Sequence, residues 1–245
     1  MRFRGRVKPS ELAMQLLLLV CALTAVVFVL LITVYLILSG LPAIREVGLL
    51  RFLFGRTWDS ANPDTPSFGI LPLILTTIYG TAGAIAAGVP IGIFTAIFLA
   101  KAAPRPLARL IRPAIGILAG IPSVVYGLVG MCVLVPLLRR RLDLPAGDSL
   151  LAAVIVLAVM ILPSIIAVTQ TALEAVPREF EEASLALGAT ELETYFRVTV
   201  PAAKSGIAAA VALGVGRATG EAMAILMVAG NVANMPSLLG SVRFL

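Results

Sequence analysis

Long runs without a charged residue limit the possible folds of this chain more than any other feature. The runs Leu12–Leu38 and Phe68–Ala100 both exceed the roughly 20 apolar residues that a helix needs to cross a bilayer. Pro113–Leu138 and Ser149–Leu173 are also long enough, and a fifth stretch, Ser205 to about Pro236, holds only two charges. The predicted fold class is therefore all-α, a polytopic transmembrane helical bundle with five spans.

The composition agrees with a membrane protein and excludes several other classes. Hydrophobic residues make up 60% of the chain and charged residues 13%, with a mean hydropathy of +1.04. Histidine is absent and the two cysteines, Cys21 and Cys132, lie in apolar runs, so we expect no metal site, disulfide framework or cofactor. The net charge of +6 is not gathered into a basic, aromatic-rich surface, so membrane lipid rather than nucleic acid is the expected partner.

The distribution of Lys and Arg predicts the orientation. Basic residues within positions 2–8 precede the first apolar run, which favours a cytoplasmic N-terminus. That run exceeds the apolar region of about 7–15 residues in a signal peptide, so we interpret it as an uncleaved anchor in the inner (plasma) membrane. The basic segment Lys101–Arg112 falls on the cytoplasmic side, whereas the triplet Arg139–Arg141 falls outside, against the general tendency. The overall Lys and Arg distribution still favours this orientation.

Two parts are predicted along the chain. Residues 1–67 comprise the N-terminal tail, the first anchor and a periplasmic loop with a short interfacial helix around Ile44–Phe54. Residues 68–245 form the core, with a cytoplasmic loop at 174–204.

The most polar stretch of the core, Glu182–Pro201, predicts two short helices that meet at a corner. Carboxylates follow Pro177 and favour a helix start there, because the positive end of the helix dipole stabilises them. Gly188 can leave the first helix in a left-handed conformation. Thr190 and Glu193 have the spacing of a capping box, which starts a second helix that we expect to end at Pro201.

This stretch resembles a known signature. Glu182-Ala183-Ser184, Gly188 after three residues, and Val198-Thr199-Val200-Pro201 after nine more are similar to the EAA motif of permeases in ATP-binding-cassette importers. Ser184 replaces the second Ala, and Val replaces Ile and Leu. The resemblance implies that the corner docks on a cytoplasmic ATPase dimer. The residues implied in this contact are Glu182, Ala183, Ser184, Leu187, Gly188 and Ala189. The alternative is a surface helical hairpin without a partner.

Two further features lie within the spans. The segment Gly120–Gly127 contains Pro122, Ser123 and Tyr126 and must interrupt the backbone ladder. Such a break belongs either to a substrate path or to a kinked packing helix. Arg217 and Glu221 are the only charges expected in a span. They form either an anion-handling site or a structural ion pair within one helix.

The blocks Ile121–Gly130 and Gly216–Pro236 resemble the C-type permease subunits of bacterial phosphate importers. The resemblance implies a type I importer fold, uptake of inorganic phosphate from a periplasmic phosphate-binding protein, and a second homologous permease subunit. It implies a substrate pathway through Arg217, Glu221, Pro122, Ser123 and Tyr126. An oxyanion such as sulfate satisfies the same physical argument, because a guanidinium binds either anion by forked hydrogen bonds.

The chain has no phosphate-binding loop of the kind that hydrolyses ATP, so we expect a permease that is not itself an enzyme and a separate ATPase subunit. The resembling permeases have six spans, against the five predicted here. A truncated, non-transporting membrane scaffold is therefore a further alternative.

Overall fold

The computed structural model describes residues 9–59, 66–144 and 146–244 of the chain. It divides into two compact units, Met1–Gly55 and Arg56–Leu245.

The first unit is a long apolar helix followed by a short one. Helix α1 is Pro9–Val47 and helix α2 is Leu49–Phe54. Gly48 separates them with a φ of +85°, a left-handed conformation that favours glycine. The large apolar side chains of α1 are exposed, as expected for a surface that contacts lipid. The first predicted span is confirmed, and the interfacial helix begins at Leu49 rather than Ile44 because α1 continues past Pro42.

The second unit begins with a two-residue antiparallel pairing of β1, Trp58–Asp59, with β2, Ser67–Phe68. The helices that follow are α3 Leu71–Ile97, α4 Arg105–Gly120, α5 Ser123–Val129, α6 Val135–Leu142, α7 Leu150–Glu174, α8 Arg178–Ala186, α9 Glu191–Thr194, α10 Val200–Ala202, α11 Lys204–Thr219 and α12 Met223–Val228. Three π-helical turns, Phe98–Ala102, Gly130–Leu134 and Tyr195–Thr199, follow α3, α5 and α9.

Helix α7 forms the centre of this unit, between α3 and α11. The glycines of both neighbours allow this close approach, because a Cβ atom built on Gly92 of α3 would lie 2.8 Å from the Ile165 side chain of α7. A Cβ atom built on Gly214 of α11 would also lie 2.8 Å from Ile165. Small residues at such positions let transmembrane helices pack backbone to backbone. Gly88 and Gly92 of α3 are both buried.

The predicted break in the third span is confirmed, but the span itself starts later. Helix α4 ends at Gly120 and α5 begins at Ser123, with Pro122 between them in an extended conformation. The apolar helix of spanning length is Ser123–Leu142, not Pro113–Leu138, because the break separates Pro113 from it. Within the described ranges, four helices are long and apolar enough to cross a membrane, and five if the bent pair Glu191–Ala202 and Lys204–Thr219 counts as one span.

The predicted fifth span, Ser205 to about Pro236, is not one helix. It is helical in α11, breaks at residues 220–222 and continues only as the short α12. Residues 229–244 then run without a helix, with left-handed backbone at Gly230 and Asn231. Apolar composition alone suggested a longer span, but it does not distinguish a helix from an extended segment that packs against the bundle.

The end of α12 and this C-terminal segment provide hydrogen-bond acceptors for the first N–H groups of α7. The backbone N–H groups of Ser149, Leu150 and Leu151 donate to the carbonyl oxygens of residues 228, 240 and 238, at 3.2, 3.2 and 2.9 Å. A helix otherwise leaves its first N–H groups without partners. Phe244 packs against Gly80 at the same end of the bundle.

Candidate functional site

Arg217 lies in the last turn of α11, and the packing of α11 against α7 determines which side chain lies beside it. Gly214 contacts Ile165, and this register places Arg217 beside Ser164. The Arg217 Nη1 atom donates a hydrogen bond of 2.9 Å to Ser164 Oγ. Both side chains are half-buried. A cation within the span thus has a neutral oxygen as its hydrogen-bond acceptor.

Glu221 does not pair with Arg217, so the structural ion pair considered from the sequence is wrong. Helix α11 ends at Thr219, and Glu221 Oε1 accepts a 3.0 Å hydrogen bond from the backbone N–H of Ala224 at the start of α12. In the described part of the chain, the ion pairs within 4.0 Å are Lys101–Glu181, Arg112–Glu174 and Arg197–Glu193. The charge of Arg217 therefore has no carboxylate partner within 4.0 Å in those ranges.

Tyr126 spans the break between α4 and α5. Its hydroxyl donates to the Leu118 carbonyl oxygen at 2.7 Å, which satisfies backbone left open by the break. Tyr126 and Arg217 have different hydrogen-bond partners in the described chain, Leu118 and Ser164. Pro122 lies in the break and Ser123 begins α5, and neither makes a hydrogen bond to Arg217 in the described chain.

Tyr126 also lines an apolar cavity of about 400 Å³. Its lining consists of apolar side chains, glycine and Tyr126, and it includes neither Arg217 nor Ser164. An oxyanion would lose its hydration there without gaining donors, so this cavity does not suit an anion.

The corner predicted around Gly188 is confirmed in its local geometry. Helix α8 ends at Ala186, and Gly188 has a φ of +86°. Both hydrogen bonds of the capping box between Thr190 and Glu193 are present at the start of α9. Hydrogen bonds from the Thr190 backbone N–H and then its hydroxyl lower the pKa of Glu193, with a smaller contribution from the charge of Arg197.

The second helix of the corner does not end at Pro201. Pro201 lies inside α10, and the chain bends by 71° between Ala202 and Lys204. The π-helical turn Tyr195–Thr199 shifts the hydrogen-bond ladder just before Pro201, which lets the chain accommodate its missing N–H.

Side chains that the sequence reasoning missed tie the corner to the bundle. Lys101 Nζ lies 2.5 Å from Glu181 Oε1, which also accepts a 3.0 Å hydrogen bond from the Thr199 hydroxyl. The Tyr195 hydroxyl donates to the Lys101 carbonyl oxygen at 3.3 Å. Helix α8 and the π-helical turn Tyr195–Thr199 therefore connect to the π-helical turn after α3 through polar contacts. The sequence signal for this contact is Lys101, a single lysine at the end of an apolar run.

A second contact braces the two helices of the corner against each other. The hydroxyls of Ser184 and Thr194 share a hydrogen bond of 2.9 Å. Ser184 is the residue that departs from the Ala of the motif, and here it has a structural partner.

The outer surface of the corner exposes apolar side chains beside carboxylates. Leu187 is 90% exposed, Leu192 64% and Phe180 54%. Glu182 and Ala183 are exposed, while Ser184 and Ala189 are half-buried. Large apolar groups at a polar, solvent-facing corner are typical of a surface that binds another protein.

Residues 88–243 match the family described as binding-protein-dependent transport system inner membrane component. The chain belongs to this permease family. The permease is also similar to named relatives: the probable ABC transporter permease protein YqgH of Bacillus subtilis is 39% identical over 93% of this chain and 74% of the relative. The phosphate transport system permease protein PstC of Mesorhizobium japonicum is 38% identical over 77% of this chain and 62% of the relative. The phosphate transport system permease protein PstC 2 of Mycobacterium tuberculosis is 32% identical over 86% of this chain and 70% of the relative.

A solved structure supports the same fold. The permease aligns with a chain of the inward-facing MetNI methionine ABC transporter with a TM-score of 0.50 and 22% identity, over 69% of this chain and 74% of that chain. At this identity the likeness bears on the fold alone. Family and apolar helices together make this permease a multi-pass inner-membrane transport component.

Proposed function

We propose that this permease moves inorganic phosphate across the inner membrane. The observation that supports this most directly is the state of Arg217, a cation in the span whose hydrogen-bond partner is neutral and which has no carboxylate within 4.0 Å in the described chain. An arginine so placed is costly unless it faces a cavity or a ligand of opposite charge. Its planar fork suits an oxyanion by paired hydrogen bonds.

The choice of phosphate rests on the relatives. PstC of Mesorhizobium japonicum and PstC 2 of Mycobacterium tuberculosis are named phosphate transport system permease proteins. Sulfate has the same tetrahedral geometry and is the alternative that an experiment must separate. Glu221 follows Arg217 in the sequence, at the break after α11. In this proposal Pro122 and Ser123 shape the path by keeping α4 and α5 apart.

Uptake of radiolabelled phosphate and sulfate, in cells that supply the other subunits, tests this function. We expect phosphate uptake in the wild type and at least a tenfold loss in Arg217→Gln. Arg140→Gln removes the same charge from the exposed end of α6 and should transport like the wild type. Equal uptake of phosphate in Arg217→Gln and the wild type would exclude Arg217 from the path. Uptake of sulfate without uptake of phosphate would identify sulfate as the transported anion.

We also propose that the corner binds a cytoplasmic ATPase dimer that supplies the energy. The exposed Leu187 and Leu192, next to Glu182, provide a mixed apolar and acidic surface for such a partner. A second homologous permease subunit and a periplasmic phosphate-binding protein complete the proposed assembly. Co-purification of the ATPase with the permease, and its loss in Leu187→Asp, would support this contact; unchanged co-purification would contradict it.

The proposed orientation places the corner and the N-terminus in the cytoplasm. Lys101 and Arg112 belong to the basic segment that precedes and enters α4. Their ion pairs with Glu181 and Glu174 place them at the same end of the bundle as the corner. Basic segments favour the cytoplasmic side. An impermeant thiol reagent on intact cells, in a background without Cys21 and Cys132, should label Arg140→Cys but not Leu187→Cys. The reverse pattern would overturn the orientation.

A further inference from the structure

Ser164 is the one side chain that accepts a hydrogen bond from Arg217 in the described chain. It lies on α7 next to Ile165, which is fully buried between Gly92 and Gly214. This packing fixes the backbone that presents the Ser164 hydroxyl. The position of the hydroxyl is therefore set by the core of the bundle rather than by a flexible loop.

The donors at this point are in excess over the acceptors. A guanidinium has five N–H donors and no acceptor, and a serine hydroxyl donates one hydrogen while it accepts from another group. Ser164 Oγ accepts one hydrogen bond, from Arg217, and the described chain provides no acceptor for its own hydrogen. The Arg217 donors other than Nη1 also have no acceptor in those ranges. Several donors thus remain for a ligand that only accepts.

Glu221 does not take up these donors, because the described chain has no ion pair between Glu221 and Arg217 within 4.0 Å, and Glu221 Oε1 instead accepts from the Ala224 N–H. Arg217 and Ser164 therefore form a pair with a net positive charge. A tetrahedral oxyanion fits this pair: two oxygens accept from the guanidinium fork and a third accepts from the hydroxyl. An apolar or cationic solute would leave the donors unsatisfied.

We propose that Ser164 is a ligand of the transported oxyanion and that it positions the Arg217 fork to receive it. This inference rests on the proposed function, since it assigns a second residue to the same path. Before the anion arrives, the hydroxyl holds Nη1 in place, and afterwards it donates to the anion. Ser164 differs from a packing residue because its contribution depends on the hydroxyl and not on the volume of the side chain.

Substitutions that keep or remove the hydroxyl test this role. In Ser164→Ala we expect the rate of phosphate uptake at saturating phosphate to fall about tenfold, with normal amounts of protein in the membrane. Ser164→Thr keeps the hydroxyl and should recover most of the rate. Thr95→Ala is the matched control, because the Thr95 hydroxyl is exposed and bonds the Ile91 carbonyl of its own helix. A wild-type rate in Ser164→Ala would overturn the proposal.

Protection of a thiol at position 164 distinguishes a ligand of the anion from a structural residue, because a purely structural role predicts no effect of phosphate on the rate of thiol modification. In a background of Cys21→Ala and Cys132→Ala, Ser164→Cys in the assembled transporter is treated with a small charged thiol reagent in the presence of inorganic phosphate, of sulfate, or of neither anion. We expect phosphate to slow the modification at position 164 several-fold and to leave Thr95→Cys unaffected.

The outcomes separate this inference from the proposed function. Phosphate uptake by the wild type without protection of Ser164→Cys would remove Ser164 from the path and keep the function. Protection by sulfate but not by phosphate would change the substrate and keep Ser164 as its ligand. Absence of protection by either anion would overturn the inference.

Discussion

Lys101 and Glu181 form an ion pair that joins the π-helical turn after α3 to the first helix of the corner. The two side chains are only 15% and 19% exposed. The Thr199 hydroxyl donates to the same Glu181 oxygen, so residues on both sides of the corner meet at one carboxylate. This contact links both sides of the corner to the turn that follows α3.

Charge reversal of this pair should separate ATP hydrolysis from transport. Loss of one partner of a largely buried ion pair costs about 3–5 kcal/mol, because the other charge stays buried alone. We expect Lys101→Glu and Glu181→Lys each to lower the phosphate moved per ATP hydrolysed, and the double exchange to recover part of it. Uptake and ATP hydrolysis measured in the same vesicles check this ratio.

The pair Arg197–Glu193 provides the control for charge reversal. Its atoms are 4.0 Å apart and the Arg197 side chain is 80% exposed, so it contributes little. Arg197→Glu should therefore keep the wild-type ratio. If the double exchange at positions 101 and 181 transports no better than either single variant, the pair does not act as a unit.

Gly188→Pro should disrupt the corner and weaken binding of the ATPase. Proline fixes φ near −65°, whereas Gly188 has a φ of +86°, and it removes the N–H that donates to the Leu185 carbonyl oxygen at 2.9 Å. We expect loss of ATPase co-purification with normal insertion into the membrane. Gly188→Asn is the control, because asparagine tolerates left-handed backbone and nothing lies within 4 Å of an added Cβ atom. Co-purification of Gly188→Pro at the wild-type level would show that the corner geometry is not needed.

Gly92→Ala should destabilise the bundle. The new Cβ atom would lie 2.8 Å from Ile165 Cγ2, and overpacking of this kind costs about 1–3 kcal/mol. Thermal unfolding of the purified permease should show a lower midpoint for this variant. Gly116→Ala is the matched control, since an added Cβ atom has nothing within 4 Å there and alanine favours a helix. An unchanged midpoint for Gly92→Ala would mean that α3 and α7 adjust without cost.

Local signals in the sequence were reliable where the chain itself provides the partner. The capping box of Thr190 and Glu193, the left-handed Gly188 and the break at Pro122 each depend on residues a few positions apart. The sequence therefore predicted the corner and the interrupted third span.

Features that depend on packing between distant segments were not predictable in this way. The hydrogen bond between Arg217 and Ser164 requires the antiparallel register of α11 on α7, which no local pattern specifies. The fifth span was overextended because residues 222–236 carry no charge, whereas the segment after α12 pairs with the start of α7 rather than continue the helix. The assumption of a continuous helix also produced the incorrect ion pair between Arg217 and Glu221.

Ile165 touches a glycine on each side, and this shared contact restricts how the family of such sequences can diverge. A bulkier residue at position 92 fits only if position 165 shrinks, but a smaller residue at 165 leaves a void against position 214. Substitutions on α3 and α11 are thereby linked through a residue that belongs to neither, and a larger residue at position 92 keeps the native packing only with compensating replacements at positions 165 and 214.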